Sequence, residues 1–280
     1  MAKIISVCNQ KGGVGKTTTA INLASFIALA GRNVLVVDCD PQANATSGLG
    51  IDKKQVKESI YNALIDNKDI SQLLVNTKLT NLYLVPSNVH LTGVEVELVS
   101  IEGREFRLKN ALESIRPSFD YIILDAPPSL GLLTINALTA SNSTLIPLQC
   151  EYYALEGLSQ LLNTINLVRQ NLNPHLEIEG ILLTMADFRT KLTDEVIKEA
   201  RNFFQHKVYR TVIPRSIKLG EAPGFGMPII LYDKNSHGAR SYYEFAKEFL
   251  GVDFPIETGT EKNSQAKSEA VEDVSTDAVG

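Results

Sequence analysis

Tryptophan is absent from the 280 residues, and cysteine and histidine are scarce, at three and four. Cys8, Cys39 and Cys150 lie far apart in sequence. That excludes a disulfide framework and the paired spacing of a zinc or cluster site, and the three read as small buried apolar residues in a reducing cytoplasm. His90, His175, His206 and His237 have no ligand spacing and read as surface or structural residues. There is no apolar run of about 18 residues, so no transmembrane helix is expected. A charged stretch followed by an apolar run and a cleavage site is also missing at the N-terminus, so no signal peptide is expected. Nor is there an excess of positive charge: the net is −5, which gives no global sign of nucleic-acid binding.

That charge is unevenly spread. Residues 255–280 hold six acids and two bases, which leaves the first 254 residues near −1. This last stretch has almost no large apolar residue and reads as a disordered acidic tail, 255–280, behind a single domain, 1–254. Within the domain, short apolar runs at 4–8, 34–37, 121–124, 144–148 and 178–183 alternate with helical patterns near 17–30, 131–140, 155–172, 193–204 and 239–250. Continuous apolar runs suit strands covered on both faces. Their alternation with helices predicts an α/β fold: a doubly wound, mostly parallel sheet with helices on both faces.

The sharpest signal is Lys11-Gly12-Gly13-Val14-Gly15-Lys16-Thr17-Thr18, between the first strand and the first helix. Glycines there let the backbone curl until several N–H groups converge on phosphate oxygens, and the helix N-terminus adds its positive dipole end. Lys16 is placed to reach β- and γ-phosphates, and the Thr17 hydroxyl to hold Mg²⁺. The usual pattern G-x-x-x-x-G-K-[ST] has glycine where this chain has Gln10, and a second lysine, Lys11, stands at the loop's start.

Acidic residues close the second and third runs. Asp38 and Asp40, at i and i+2, lie on one side of an extended segment and face the crevice at the sheet's carboxyl edge. Such strand-end acids before a proline can also simply form a turn. Tyr121-Ile122-Ile123-Leu124-Asp125 has the form of a Walker B strand, whose aspartate orients Mg²⁺ through water. No glutamate follows as a strong base, so hydrolysis is expected to be slow, a rate that suits a timer better than a motor.

The loop Lys11–Thr18 resembles the deviant Walker A motif of the superfamily that holds ParA, MinD and the nitrogenase iron protein. Asp125-Ala126-Pro127-Pro128-Ser129, the block from Asp40 to Gly50, Glu151-Tyr152-Tyr153-Ala154-Leu155-Glu156-Gly157-Leu158 and Val212-Ile213-Pro214-Arg215 are similar to the ParA/Soj branch. The resemblance implies an ATPase switch for chromosome or plasmid partitioning, cytoplasmic and nucleoid-associated, with ATP and Mg²⁺ as cofactors. It implies an ATP-dependent homodimer in which Lys11 reaches the nucleotide of the other subunit, Asp38 lies near the Mg²⁺ shell, and Asp40 positions the attacking water. Met185 and Pro214 would flank adenine. Arg189, Lys191, Arg215 and Lys218 would contact non-specific double-stranded DNA, and a ParB/Spo0J-type protein would stimulate hydrolysis. Surface lysines and arginines are ordinarily only solvated charges, so the patch must act doubled in a dimer.

The relatives divide on other residues. A nitrogenase-type protein would place a cysteine just past the Walker B aspartate, where this chain has Ala126-Pro127-Pro128. A MinD-like positioning ATPase, the alternative reading, would end in a basic membrane-binding helix, whereas this chain's tail is acidic, so no membrane partner is expected. The chain starts at its first strand, without the helix-turn-helix domain of larger plasmid proteins, so operator-specific repression is not expected. One departure from the branch is Gly224-Phe225 after Glu221-Ala222-Pro223, where a serine is usual.

Overall fold

The short apolar runs sort their side chains onto two opposite layers. Ile4, Cys8, Leu35, Val37, Ile122 and Leu124 belong to one buried cluster, while Ile5, Val7, Val34, Val36 and Ile123 belong to the other. This strict alternation is what a sheet covered on both faces requires. In the computed structural model, which describes residues 1–151 and 156–255, these runs are strands of one eight-stranded sheet. Its strands are β1 (Lys3–Val7), β2 (Val34–Asp38), β3 (Val75–Asn76), β4 (Leu82–Val85), β5 (Tyr121–Asp125), β6 (Ser143–Gln149), β7 (Glu177–Ala186) and β8 (Val208–Pro214). The order is β3-β4-β2-β5-β1-β6-β7-β8, and every pairing is parallel except β3 with β4. The chain thus winds outward to both sides of β1, and the switch in direction opens a crevice at the carboxyl edge beside it.

The helices are α1 (Lys16–Leu29), α2 (Asn44–Gly48), α3 (Ile60–Leu64), α4 (Val94–Glu97), α5 (Arg107–Glu113), α6 (Leu132–Ala140), α7 (Glu156–Asn171), α8 (Lys191–Phe204), α9 (Ile217–Glu221), α10 (Ile229–Tyr232) and α11 (His237–Leu250). Helix α1 is buried on nearly every side, with Leu23, Phe26 and Ile27 fully enclosed between the sheet and α11. Each such side chain contributes about 1.5–3 kcal/mol by leaving water. The helix stops at Gly31, whose φ of +79° suits glycine. Residue 155, the expected start of the helix read at 155–172, residues 152–155 of the block that begins at Glu151, and residues 256–280 of the expected acidic tail lie outside the described residues. Among the described residues no helix is long and apolar enough to cross a membrane.

Candidate nucleotide site

The loop after β1 is anchored from below. Asn9 accepts a hydrogen bond from the Lys11 amide through Oδ1 (3.0 Å) and donates through Nδ2 to the Pro147 carbonyl (2.8 Å). The Thr184 hydroxyl, on β7, donates to the Val14 carbonyl at 2.8 Å. Gly13 and Gly15 take φ of +75° and +90°, conformations that a side chain would strain. Gly15 is also the N-cap of α1, and no side chain caps that helix, so its first N–H groups are presented to the crevice. Lys16 is only 6% exposed, and its ammonium donates to the Lys11 carbonyl (3.1 Å), curled over its own loop. Burial lowers the Lys16 pKa, against the opposing pull of Asp125 and Asp40. Lys11, by contrast, is exposed, its ammonium 3.0 Å from Glu151 Oε2.

Strand register brings the acids together. Asp38 pairs directly with Asp125 across β2 and β5, and Asp125 with Val7 across β5 and β1. All three of Asp38, Asp40 and Asp125 are buried. Asp38 Oδ2 accepts from both the amide and the hydroxyl of Thr46 (2.7 Å each), and its Oδ1 from the Asp40 amide (3.2 Å). Its carboxyl is nonetheless pushed up to about 6, chiefly by burial. Asp40 Oδ1 accepts from the Gln42 amide (2.8 Å), so one of its oxygens does form the turn that a strand-end acid before proline suggests. Asp125 differs from both: both carboxyl oxygens are buried and no hydrogen bond of good geometry reaches either, although the Thr17 hydroxyl lies close enough to favour the charged form. Burial first, then the neighbouring Asp38, hold its pKa well above the ordinary carboxylate range, against the Thr17 hydroxyl and Lys16.

Two enclosed carboxyl oxygens without donors are what a divalent cation satisfies. Among the described residues no group of three or more His, Cys, Asp or Glu could hold a metal by itself. The Thr17 hydroxyl and the Asp125 carboxyl instead fit Mg²⁺, which keeps waters and phosphate oxygens and needs only one or two protein groups. Beside the loop opens a largely apolar pocket of about 220 Å³ whose lining includes Gly15, Thr18, Met185, Ile213, Pro214 and Leu219. Met185 and Pro214 thus share one cavity with the phosphate loop. Tyr242 of α11, which sequence reasoning missed, also lines it and hydrogen-bonds Thr19 Oγ1 at 3.0 Å. Met185 sits at φ +53°, an uncommon conformation that marks a constrained strand end.

The predicted basic residues fall at the same edge. Arg215 and Lys218 line a shallow groove of about 530 Å³ with Phe188 and His237, and Arg189 and Lys191 are exposed nearby in sequence at the start of α8. Three of these cations carry a carboxylate partner. Arg189 donates through Nε and Nη2 to Asp187 (2.8 and 2.6 Å) and holds that carboxyl down at about 2. Lys218 meets Glu221 at 3.1 Å, and Arg215 lies 3.8 Å from Glu151.

Backbone donors at one end of the crevice, the donor-starved Asp125 carboxyl beside them and an apolar slot alongside form a nucleoside-triphosphate site, and the fold around it makes the protein a P-loop ATPase. Residues 2–178 match the family described as AAA domain. The chain is 58% identical over 248 residues to the sporulation initiation inhibitor protein Soj of Bacillus subtilis, covering 89% of this chain and 98% of that one. It is 54% identical over 255 residues to the chromosome partitioning protein ParA of Myxococcus xanthus (91% and 90% covered). Among solved structures, cobyrinic acid a,c-diamide synthase of Mycobacterium smegmatis with bound ATP analogue and magnesium superposes with a TM-score of 0.79 at 37% identity, covering 92% of this chain and all of that one. The chain belongs to the ParA/Soj family of partitioning ATPases.

Proposed function

We propose that the protein is an ATP-operated switch whose ATP-bound form is a homodimer that binds DNA without sequence preference. One observation carries the reading: of the loop's two lysines, Lys16 is buried in its own site while Lys11 stands at the surface. Lys16, with the loop glycines, Val14, Thr17 and Thr18, binds the phosphates, and Thr17 and Asp125 hold Mg²⁺, which would neutralise charge on the phosphates. Asp38 lies next to that cation, Asp40 orients the attacking water, and Met185 and Pro214 flank the base. Lys11 reaches the partner subunit's nucleotide, a cation supplied in trans as in other phosphoryl-transfer enzymes. No atom lies within 4 Å of a Cβ built on Gly12, so Gly12→Val should fold and bind ATP yet fail to bring two subunits together.

Arg189, Lys191, Arg215 and Lys218 form the DNA-facing patch, supported by their place at one edge of the molecule. Because three of the four bring their own carboxylates, one subunit offers little net positive charge, and useful affinity needs two copies held side by side. ATP therefore controls DNA binding by controlling dimerisation. A ParB/Spo0J-type protein accelerates hydrolysis and resets the cycle at the nucleoid. The deciding experiment is binding of Asp40→Ala protein to non-specific duplex DNA at low salt with ATP or ADP. Tight binding with ATP alone, lost steeply on adding salt, is expected; equal binding or none in both states refutes the switch.

A further inference from the structure

Lys11 is held in place at two points, and both lead to strand β6. Its backbone is fixed through Asn9, which is 5% exposed and hydrogen-bonded to Pro147 of that strand. Its ammonium is 3.0 Å from Oε2 of Glu151, two residues beyond the strand's end. That carboxylate is itself positioned. Gln149, the last residue of β6 and 8% exposed, donates through Nε2 to Oε1 of Glu151, and the Arg215 guanidinium lies 3.8 Å from the same oxygen. One oxygen of Glu151 is thus occupied by Gln149 and Arg215, and the other is turned to Lys11.

We propose that Glu151 is the resting counter-ion of Lys11: a positioning residue that keeps the lysine on its own subunit and sets how readily two ATP-bound subunits associate. The inference rests on the reading that Lys11 acts across a dimer interface. A lysine bound for the partner's phosphates must first leave Glu151, so every association event breaks this ion pair twice. Both partners are nearly half exposed, at 43% and 44%, so the pair is a weak restraint. Exposed pairs of this kind shift an equilibrium by about 1.4- to 5-fold each, which for two per dimer becomes about 2- to 25-fold. A weak restraint suits a switch, because it biases association without blocking it. It also ties Lys11 to the DNA-facing edge, since the same carboxylate neutralises part of Arg215.

The test is the dimerisation constant of the full chain by sedimentation with a non-hydrolysable ATP analogue and Mg²⁺, for the wild type, Glu151→Gln and Glu151→Ser. Both variants should dimerise about 2- to 25-fold more tightly. The gap should narrow at high salt as screening weakens the wild-type pair, and analogue affinity in dilute, monomeric protein should be unchanged. A salt-independent gap would mean that the substitutions act through packing and would overturn the proposal. So would unchanged or weaker dimerisation in either variant, the latter showing that Glu151 helps Lys11 in the dimer. Lys11→Ala separates the two readings: if it dimerises like the wild type, the trans-acting lysine itself is wrong, whatever Glu151 does.

Discussion

Replacing Asp125 by asparagine should stabilise the nucleotide-free protein and abolish its response to magnesium and ATP. Asp125 is fully buried, lies in register beside Asp38, and has no hydrogen-bond donor on either oxygen. A buried polar group left without a partner costs about 1–3 kcal/mol, and a charged one more. Asparagine remains a buried polar group of the same shape but removes the charge and its repulsion with Asp38, so a gain of about 1–3 kcal/mol is expected at pH values where Asp125 is ionised. For a chain of this size that is roughly 2–12 °C in Tm. Wild-type protein should gain about 2.7 kcal/mol from a ligand at a hundred times its Kd, and the variant should lose that gain with Mg²⁺–ATP. The pH dependence supplies a second check. A carboxyl whose folded pKa is raised binds more protons folded than unfolded, so its stabilising contribution is complete at low pH and disappears as pH rises through the folded value. For Asp38 that window runs from about 3.9, the unfolded value, to about 6. Asp125 carries the decline further, being raised well above the ordinary range. Wild-type apo-protein should therefore lose stability from pH 5 to pH 7.5, and Asp125→Asn should flatten the upper part of that slope. Differential scanning fluorimetry across pH, with and without Mg²⁺–ATP, reads all of this. A variant that melts below the wild type at pH 7.5, or that retains the ligand-induced shift, would refute the argument.

Three further outcomes follow from single contacts. Gly226→Ala should lower stability by about 1–3 kcal/mol in urea titration, because φ is +61° and the added Cβ would lie 2.8 Å from the Gly50 backbone. Thr46→Val should cost about 1–3 kcal/mol by the same assay, since the buried hydroxyl donates to Asp38 and accepts from the Ser87 amide (2.9 Å); Thr46→Ser should recover most of it. The three cysteines should resist a thiol reagent at pH 8 until the protein unfolds, because all are buried and burial pushes the Cys8 and Cys150 thiols up to about 11.

The glycine loop and the strand-end acids were readable because each obeys a local rule: glycine where φ is positive, lysine where the first helix opens, aspartate where a parallel strand ends. The central strands were readable for a related reason, being buried on both faces and therefore continuously apolar. Edge strand β8 escaped, as its run of Val208, Tyr209, Arg210 and Thr211 mixes polar with apolar where one side is partly exposed. Strand β4 has four residues and α2 to α5 four to seven each, too few turns or alternations to express a period. The blind spots in the site have another origin. Tyr242 and Thr184 reach the nucleotide pocket from elements far along the chain, and nothing in their neighbours announces it. Thr46 stood in a quoted motif, yet only the fold shows it as the donor that holds Asp38.

That bond ties the acids of the crevice to α2. The free protein holds three buried carboxylates near one buried lysine, so its charge is poorly balanced before any ligand enters. The imbalance falls on Asp125, which has no donors, while its register partner Asp38 is held by Thr46 of α2. A cation beside Asp125 would also attract Asp38 and so act on the bond that seats α2. Beyond α2, Gly50 and Gly226 approach so closely that neither tolerates a Cβ, and Gly226 follows the turn that continues from α9, the helix of Lys218. The same contact bears on the departure at Gly224-Phe225. The usual serine is absent, but the loop is held where glycine meets glycine, and Phe225 instead packs its ring 5.1 Å from that of Tyr232.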